Sequence, residues 1–139
     1  MPASKEQIMA FLEKEFSPKG LLIESVGNQA SRIRRSAGKE DLRPGNTVSG
    51  PFMMAIIDTA LYVTIMGELG LVAMAVTTNL NINFLHRPKA DLDVIAECRL
   101  LKVGKKLIVG EVSLYSDGFE QPIAHATGTY ALPPPELQT

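Results

Sequence analysis

Cysteine occurs once in the 139 residues, histidine twice, and neither sign of charge prevails. Each scarcity excludes something. With Cys98 alone, no intramolecular disulfide framework can form, which fits a reducing compartment. His86 and His125 are separated by strand-like segments and share no ligand spacing with the cysteine or with each other, so no metal site is expected. Fourteen basic against 15 acidic residues give no general attraction to nucleic acid or to an anionic membrane. The opening Met-Pro-Ala-Ser-Lys-Glu-Gln lacks the basic-then-apolar pattern of a secretory leader. The longest apolar run falls short of the roughly 20 residues that span a bilayer, and Gly67-Glu68 closes it. Repeats and low-complexity segments are absent. The expectation is a cytoplasmic protein in which residues 1–139 form a single domain around one core.

What the chain does have is that run, Phe52 to Met66, with apolar residues on every face of the helix it predicts. Such a helix belongs in an interior. Asp58 is its only ionisable group apart from the Tyr62 phenol, so the carboxylate must be paired, with Arg43 as one partner, lie against a polar cleft, or be neutralised. Pro51 suits the first helical position and Gly50 the cap. A helix start leaves N–H groups unpaired and carries partial positive charge, where a developing oxyanion is held. The same helix is therefore expected to set an acid and an N–H donor beside one cleft.

Around this helix the pattern is regular. Ser4 and Gln7 form a capping box for an amphipathic helix over residues 5–16, and Ser17-Pro18-Lys19-Gly20 ends it. Strands are predicted over 21–26 and 29–35; in the second, Ala30, Arg32 and Arg34 alternate with Ser31, Ile33 and Arg35, and the arginine cluster reads as a solvated or interface face. Residues 36–50 make a long loop into the buried helix. Four antiparallel strands follow, over 73–85, 92–103, 107–116 and 122–132, with hairpin turns at Gly104-Lys105 and Asp117-Gly118. In the first of these, Thr77, Asn79, Asn81 and Asn83 share a polar face. The Pro-rich tail 133–139 leaves the domain. Cys98 reads as a small core hydrophobe and His125 as a hydrogen-bonded structural residue. The class is α+β, a helix packed on one antiparallel sheet, with an extra N-terminal helix.

The Gly50-Pro51 entrance, Asp58 and the strand Thr77-Thr78-Asn79-Leu80-Asn81-Ile82-Asn83-Phe84 together resemble the hot-dog fold thioesterases, in particular the phenylacetate-degradation (PaaI-like) branch, over roughly residues 25–132. In that branch a His-Gly-Gly motif precedes the central helix and a carboxylate follows nine positions after the His. Here Ser49-Gly50-Pro51 stands in the motif's place, with Asp58 nine positions after Ser49: the spacing is kept and the His is not. The resemblance implies an acyl-CoA thioesterase for a medium-chain or aromatic acyl group. The Gly50 N–H would polarise the thioester carbonyl and Asp58 would act as general base or nucleophile. It further implies that Thr77 orients water from the partner subunit, that Asn46 lies near the position of a loop asparagine, and that Ser49 bonds the loop or fills the place of the His. A nucleophilic Ser49 lacks the second Gly of Gly-x-Ser-x-Gly. Also implied are a homodimer with shared sites, pairing again to a tetramer, and coenzyme A phosphates held by Arg87 and Lys89 or by Lys102, Lys105 and Lys106. Coenzyme A enters as part of the substrate, so no separate cofactor is expected. The alternatives are a non-catalytic acyl-CoA binding protein on the same fold and a hot-dog hydratase or dehydratase.

Overall fold

The computed structural model of the chain describes residues 2–134. Helix α1 (Lys5–Glu15) starts as expected: the Ser4 hydroxyl accepts from the Gln7 N–H while the Gln7 side chain accepts from the Ser4 N–H. Strands β1 (Leu21–Gly27) and β2 (Ala30–Arg35) form a hairpin whose central residues, Asn28 and Gln29, both have positive φ, the geometry of tight hairpin turns. The loop 36–50 is more structured than its composition suggests. It holds a short 3-10 turn (Lys39–Asp41) and a miniature hairpin of β3 (Leu42–Arg43) and β4 (Thr47–Val48). Helix α2 (Gly50–Leu69) is followed by β5 (Val76–Phe84), β6 (Val94–Val103), β7 (Leu107–Ser116) and β8 (Ala124–Ala131), all shorter than or equal to their predicted spans. Past β8, the Leu132 N–H bonds the Lys106 carbonyl; of the predicted tail, residues 135–139 lie outside the described residues.

The six long strands make one antiparallel sheet in the order β1-β2-β6-β7-β8-β5, and α2 lies across its concave face. This is the sheet wrapped around a central helix expected of the hot-dog fold. The core is the seam between them: Ile56, Ile57, Leu61 and Ile65 of the helix against Ile33, Ala96, Ile108, Val112 and Leu114 of the sheet, all essentially without exposure. Each of the larger side chains among these contributes roughly 1.5–3 kcal/mol by leaving water. At 20 residues α2 is longer than the sequence suggested and long enough to cross a bilayer, but two-thirds of it is buried in the protein, which accounts for its apolarity.

Helix and sheet approach one another closely at two glycines. Gly110 and Gly128 are paired across β7 and β8, and a Cβ on either would stand 2.7 or 2.5 Å from a methyl of Leu61. The pair forms a dent that receives that side chain. Burial of α2 is not uniform, contrary to the all-round apolar reading: Pro51, Met54, Ala55, Asp58 and Thr59 form a stripe that the sheet leaves partly open. The spacing i, i+3, i+4, i+7 and i+8 puts them on one helix face.

Candidate active site

Asp58 sits on this open stripe, and its partners come from the two strands at one side of the sheet. Its Oδ1 accepts from the Thr77 hydroxyl at 2.6 Å and from the Tyr130 hydroxyl at 2.8 Å, and its main-chain carbonyl also accepts from Tyr130 at 3.1 Å. Oδ2 has no hydrogen-bond partner among the described residues. Thr77 and Tyr130 are opposite one another in the β5–β8 ladder, so their side chains leave the sheet on the same face. Tyr130 is 4% exposed and its ring stacks on Tyr62, centroids 5.9 Å apart at 16°. Burial pushes the Tyr130 phenol far up from its ordinary value, and the Asp58 charge adds to that, so it remains a donor. Tyr62 is likewise raised, first by burial and then by Glu15, and donates to the Ala73 carbonyl at 3.0 Å.

A bulge decides which face of β5 meets the acid. The register shifts between Thr77 and Asn79, leaving Thr78 unpaired in the ladder. Strict alternation would put Thr77 with Asn79, Asn81 and Asn83. The extra residue instead places Thr77 on the inner face with Leu80 and Ile82, and turns the asparagines to the outer face. The amide-rich face therefore does not line the acid's cleft, and Asp58 is held by two hydroxyls instead. Arg43, the other sequence candidate, lies exposed in β3 and is not among its partners.

Asp58, Thr77, Tyr130 and Tyr62 open into a cleft of about 560 Å³ whose far wall includes Leu12 and Phe16 of the N-terminal helix region. Phe11, Phe16 and Tyr62 meet edge to face, with centroids 6.1–6.3 Å apart, and of these Phe16, at the C-cap of α1, and Tyr62 line the cleft. Nothing in the helical periodicity of residues 5–16 signalled that role. Met66, at 0% exposure, is core and does not line the cleft.

Ser49, not Gly50, is the N-cap of α2, its hydroxyl accepting from the Phe52 N–H at 3.2 Å. Gly50 is the first helical residue, and its N–H has no carbonyl within the helix to bond. It does not line the Asp58 cleft: eight residues at 1.5 Å rise separate the two by roughly 12 Å along the axis. The acid and the N–H donor of one chain therefore do not share one cleft. Asn46, with φ 54°, turns the β3–β4 hairpin and borders a separate depression with Arg87 and Lys89. Lys102, Lys105 and Lys106 are at the β6–β7 hairpin, beside the Thr77 end of the sheet. The two cation groups stand at opposite ends of β5, whose nine residues span roughly 30 Å.

Arg32 and Arg34 face outward into a carboxylate network: Arg32 with Glu24 and Glu97, Arg34 with Glu24, Asp93 and Asp117. Hydrogen bonds from the two arginines hold Glu24 below the usual carboxylate range. Arg35 departs from the predicted cluster. Alternation turns it inward to the cleft, over the Phe52 ring at 5.1 Å. His125 bonds Glu111 on the outer face, His86 bonds the Pro122 carbonyl, and neither lines the Asp58 cleft. Among the described residues no group of three or more His, Cys, Asp or Glu side chains is placed to hold a metal.

A family model described as the thioesterase superfamily matches residues 45–122. Among solved structures, a candidate thioesterase from Silicibacter sp. TM1040 is 38% identical, with 94% of this chain and 92% of that one covered and a TM-score of 0.87. A mutant of the phenylacetic acid degradation protein PaaI from Thermus thermophilus aligns at 18% identity over 89% and 99% of the two chains, with a TM-score of 0.73. A hypothetical thioesterase from Streptococcus pneumoniae, solved with coenzyme A, aligns at 17% over 82% and 89%, also at 0.73. At such identities the last two share the fold. No curated protein matches the chain.

Proposed function

Because the chain belongs to the thioesterase superfamily, whose model spans more than half of it, we propose that it hydrolyses acyl-CoA thioesters of medium-chain or aromatic acids with Asp58 as the general base. The observation that carries this reading is the Asp58 carboxylate fixed through one oxygen by Thr77 and Tyr130, with the other oxygen unpartnered among the described residues, in a cleft walled by apolar and aromatic side chains. Two donors on Oδ1 fix the carboxylate's rotation. Oδ2 then takes a proton from water as the water oxygen attacks the thioester carbon. The C–S bond breaks as the tetrahedral intermediate collapses, and the proton passes from Asp58 to the leaving coenzyme A thiolate. No resident cofactor enters the cycle. The bound coenzyme A of the S. pneumoniae relative favours the same thiol carrier here. Direct attack by the carboxylate is the other route for the same group; in heavy-oxygen water only that route puts label into Asp58.

The developing oxyanion needs an N–H donor, and a separation of roughly 12 Å along the helix rules out the Gly50 of the same chain. The Gly50 of a second subunit is the donor in this reading. Two features support the dimer: β5 is the last strand of the sheet, with one row of backbone groups facing outward, and the open stripe of α2 carries Met54 at 44% exposure. Pairing of two such dimers gives the tetramer. Thr77 acts on the Asp58 of its own chain in this scheme. Surface cations hold the coenzyme A phosphates, either Arg87 and Lys89 by the Gly50 end or Lys102, Lys105 and Lys106 by the Thr77 end.

Thiol release from a panel of acyl-CoAs tests the reading. Asp58→Asn is expected to lower turnover by about 10²–10⁴-fold while leaving binding of a coenzyme A thioether intact. Wild-type rates in that variant would remove Asp58 from the chemistry. A wild type that binds thioethers but releases no thiol is a non-catalytic acyl-CoA binder, the reading favoured by Ser49 in place of the family's His.

A further inference from the structure

Arg35 occupies the cleft that holds Asp58, half-buried at the end of β2. Its guanidinium lies over Phe52, and its Nε donates to the Lys19 carbonyl at 3.3 Å. Among the described residues no carboxylate is within ion-pair distance of it, although Arg32 and Arg34 on the opposite face of the same strand engage four carboxylates between them. The guanidinium's terminal N–H groups are thus left for whatever enters the cleft. Within the cleft, Leu12, Phe16, Pro18, Leu21 and Ala55 offer no acceptor side chain; Arg35 also borders a second depression that carries Glu40 and Asp41, neither of which is within ion-pair distance of it. A partly desolvated cation backed by an aromatic ring, with its planar fork unpaired, is a receptor for an oxyanion.

We propose that Arg35 binds a carboxylate borne on the acyl group, so that the preferred substrates are coenzyme A monothioesters of dicarboxylic acids; this rests on the thioester reading above. The spacing separates the acyl end from the coenzyme A end. Phe52 precedes Asp58 by six residues, roughly 9 Å along the helix. An acyl chain of about six carbons covers most of that gap, counting three bonds as one residue-length of extended chain. The nearest phosphate of coenzyme A lies beyond two amide linkages, roughly 14 Å from sulfur on the same count.

The test is calorimetric binding of two coenzyme A thioethers of equal length, one ending in a carboxylate and one in a methyl group, to wild type, Arg35→Met and Arg35→Lys. Because thioethers are not hydrolysed, the result is independent of turnover. Arg35→Met is expected to weaken the carboxylate-ended ligand by about tenfold or more and to leave the methyl-ended one unchanged, with Arg35→Lys recovering part of the loss. Equal weakening of both ligands would assign the cation to the coenzyme A portion and overturn the proposal. So would no weakening of either, or a changed oligomeric state of Arg35→Met by light scattering, which would make Arg35 a subunit contact. Thiol release from the matching thioesters is measured alongside: Arg35-dependent binding without wild-type hydrolysis refutes the hydrolase reading and leaves the contact of Arg35 with a ligand carboxylate standing.

Discussion

Tyr130→Phe isolates one hydrogen-bond donor at the acid. The change removes the hydroxyl that donates to Asp58 Oδ1 at 2.8 Å and to its carbonyl at 3.1 Å, and keeps the buried ring stacked on Tyr62. A hydrogen bond to a charged group is worth about 1.5–3 kcal/mol, and because Phe leaves no orphan donor and Oδ1 retains Thr77 at 2.6 Å, the cost to folding falls at the lower end of that range. The same bond fixes the carboxylate's rotation for catalysis. If that energy is expressed in the transition state, kcat falls by roughly 10- to 100-fold with KM little changed. Thr77→Val removes the other donor on the same oxygen. Two groups that hold one atom should couple, so the double variant is expected to depart from additivity by at least about 0.5 kcal/mol. Thiol-release kinetics give the four rates, and denaturant unfolding of the same four proteins gives the stability cycle. A Tyr130→Phe enzyme with wild-type kcat, or a strictly additive double variant, would refute the idea that these hydroxyls act together on Asp58.

Ser49→Ala deletes the α2 N-cap and is expected to cost about 0.5–2 kcal/mol in denaturant unfolding while leaving Asp58 chemistry in place; a collapse of kcat at unchanged stability would give Ser49 a reacting role. Burial pushes the Cys98 thiol up to about 11, so the thiol is expected to resist labelling at pH 8 until the protein unfolds. The sign of its linkage is fixed by that direction: the stability gained from keeping Cys98 protonated is complete below the unfolded thiol's value and is lost as pH rises toward 11, and Cys98→Ala should flatten that alkaline loss. Phe84→Pro removes a backbone N–H from the outward row of edge strand β5, because the Leu85 N–H bonds the Ile123 carbonyl and alternation turns the Phe84 N–H the other way; a monomer by light scattering is the expected result if that edge joins two subunits, and an unaltered assembly would place the interface elsewhere.

Much of the fold could be read from the chain because its patterns are local. A capping box, a long apolar stretch and strands broken by Asp-Gly or Gly-Lys turns each specify their own element. Asp58 stood out for the same reason, a lone acid in an apolar helix. Of its partners Thr77 could be picked out and Tyr130 could not, since Tyr130 is 72 residues away and resembles any strand aromatic until the ladder sets it opposite Thr77. The face of β5 that meets the acid is not the one alternation predicts, because one bulged residue, Thr78, reverses the parity on which alternation depends. Arg35 adjoins Arg32 and Arg34 in sequence, but strand parity separates it from them. The cleft wall supplied by α1 is a long-range contact that helical spacing does not encode.

The glycine dent under Leu61 bears on the acid at a distance. Leu61 follows Asp58 by three residues, less than one turn of the same rigid helix. Its two methyls rest where Gly110 and Gly128 leave room, as a peg rests in a socket, so α2 can neither slide along the sheet nor roll on it without lifting the peg out. The socket lies on β7 and β8, and β8 also carries Tyr130. Helix and donor strand are thereby indexed to one another at a buried point that touches no substrate, and the 2.8 Å contact of Tyr130 with Asp58 inherits its precision from two residues that have no side chains.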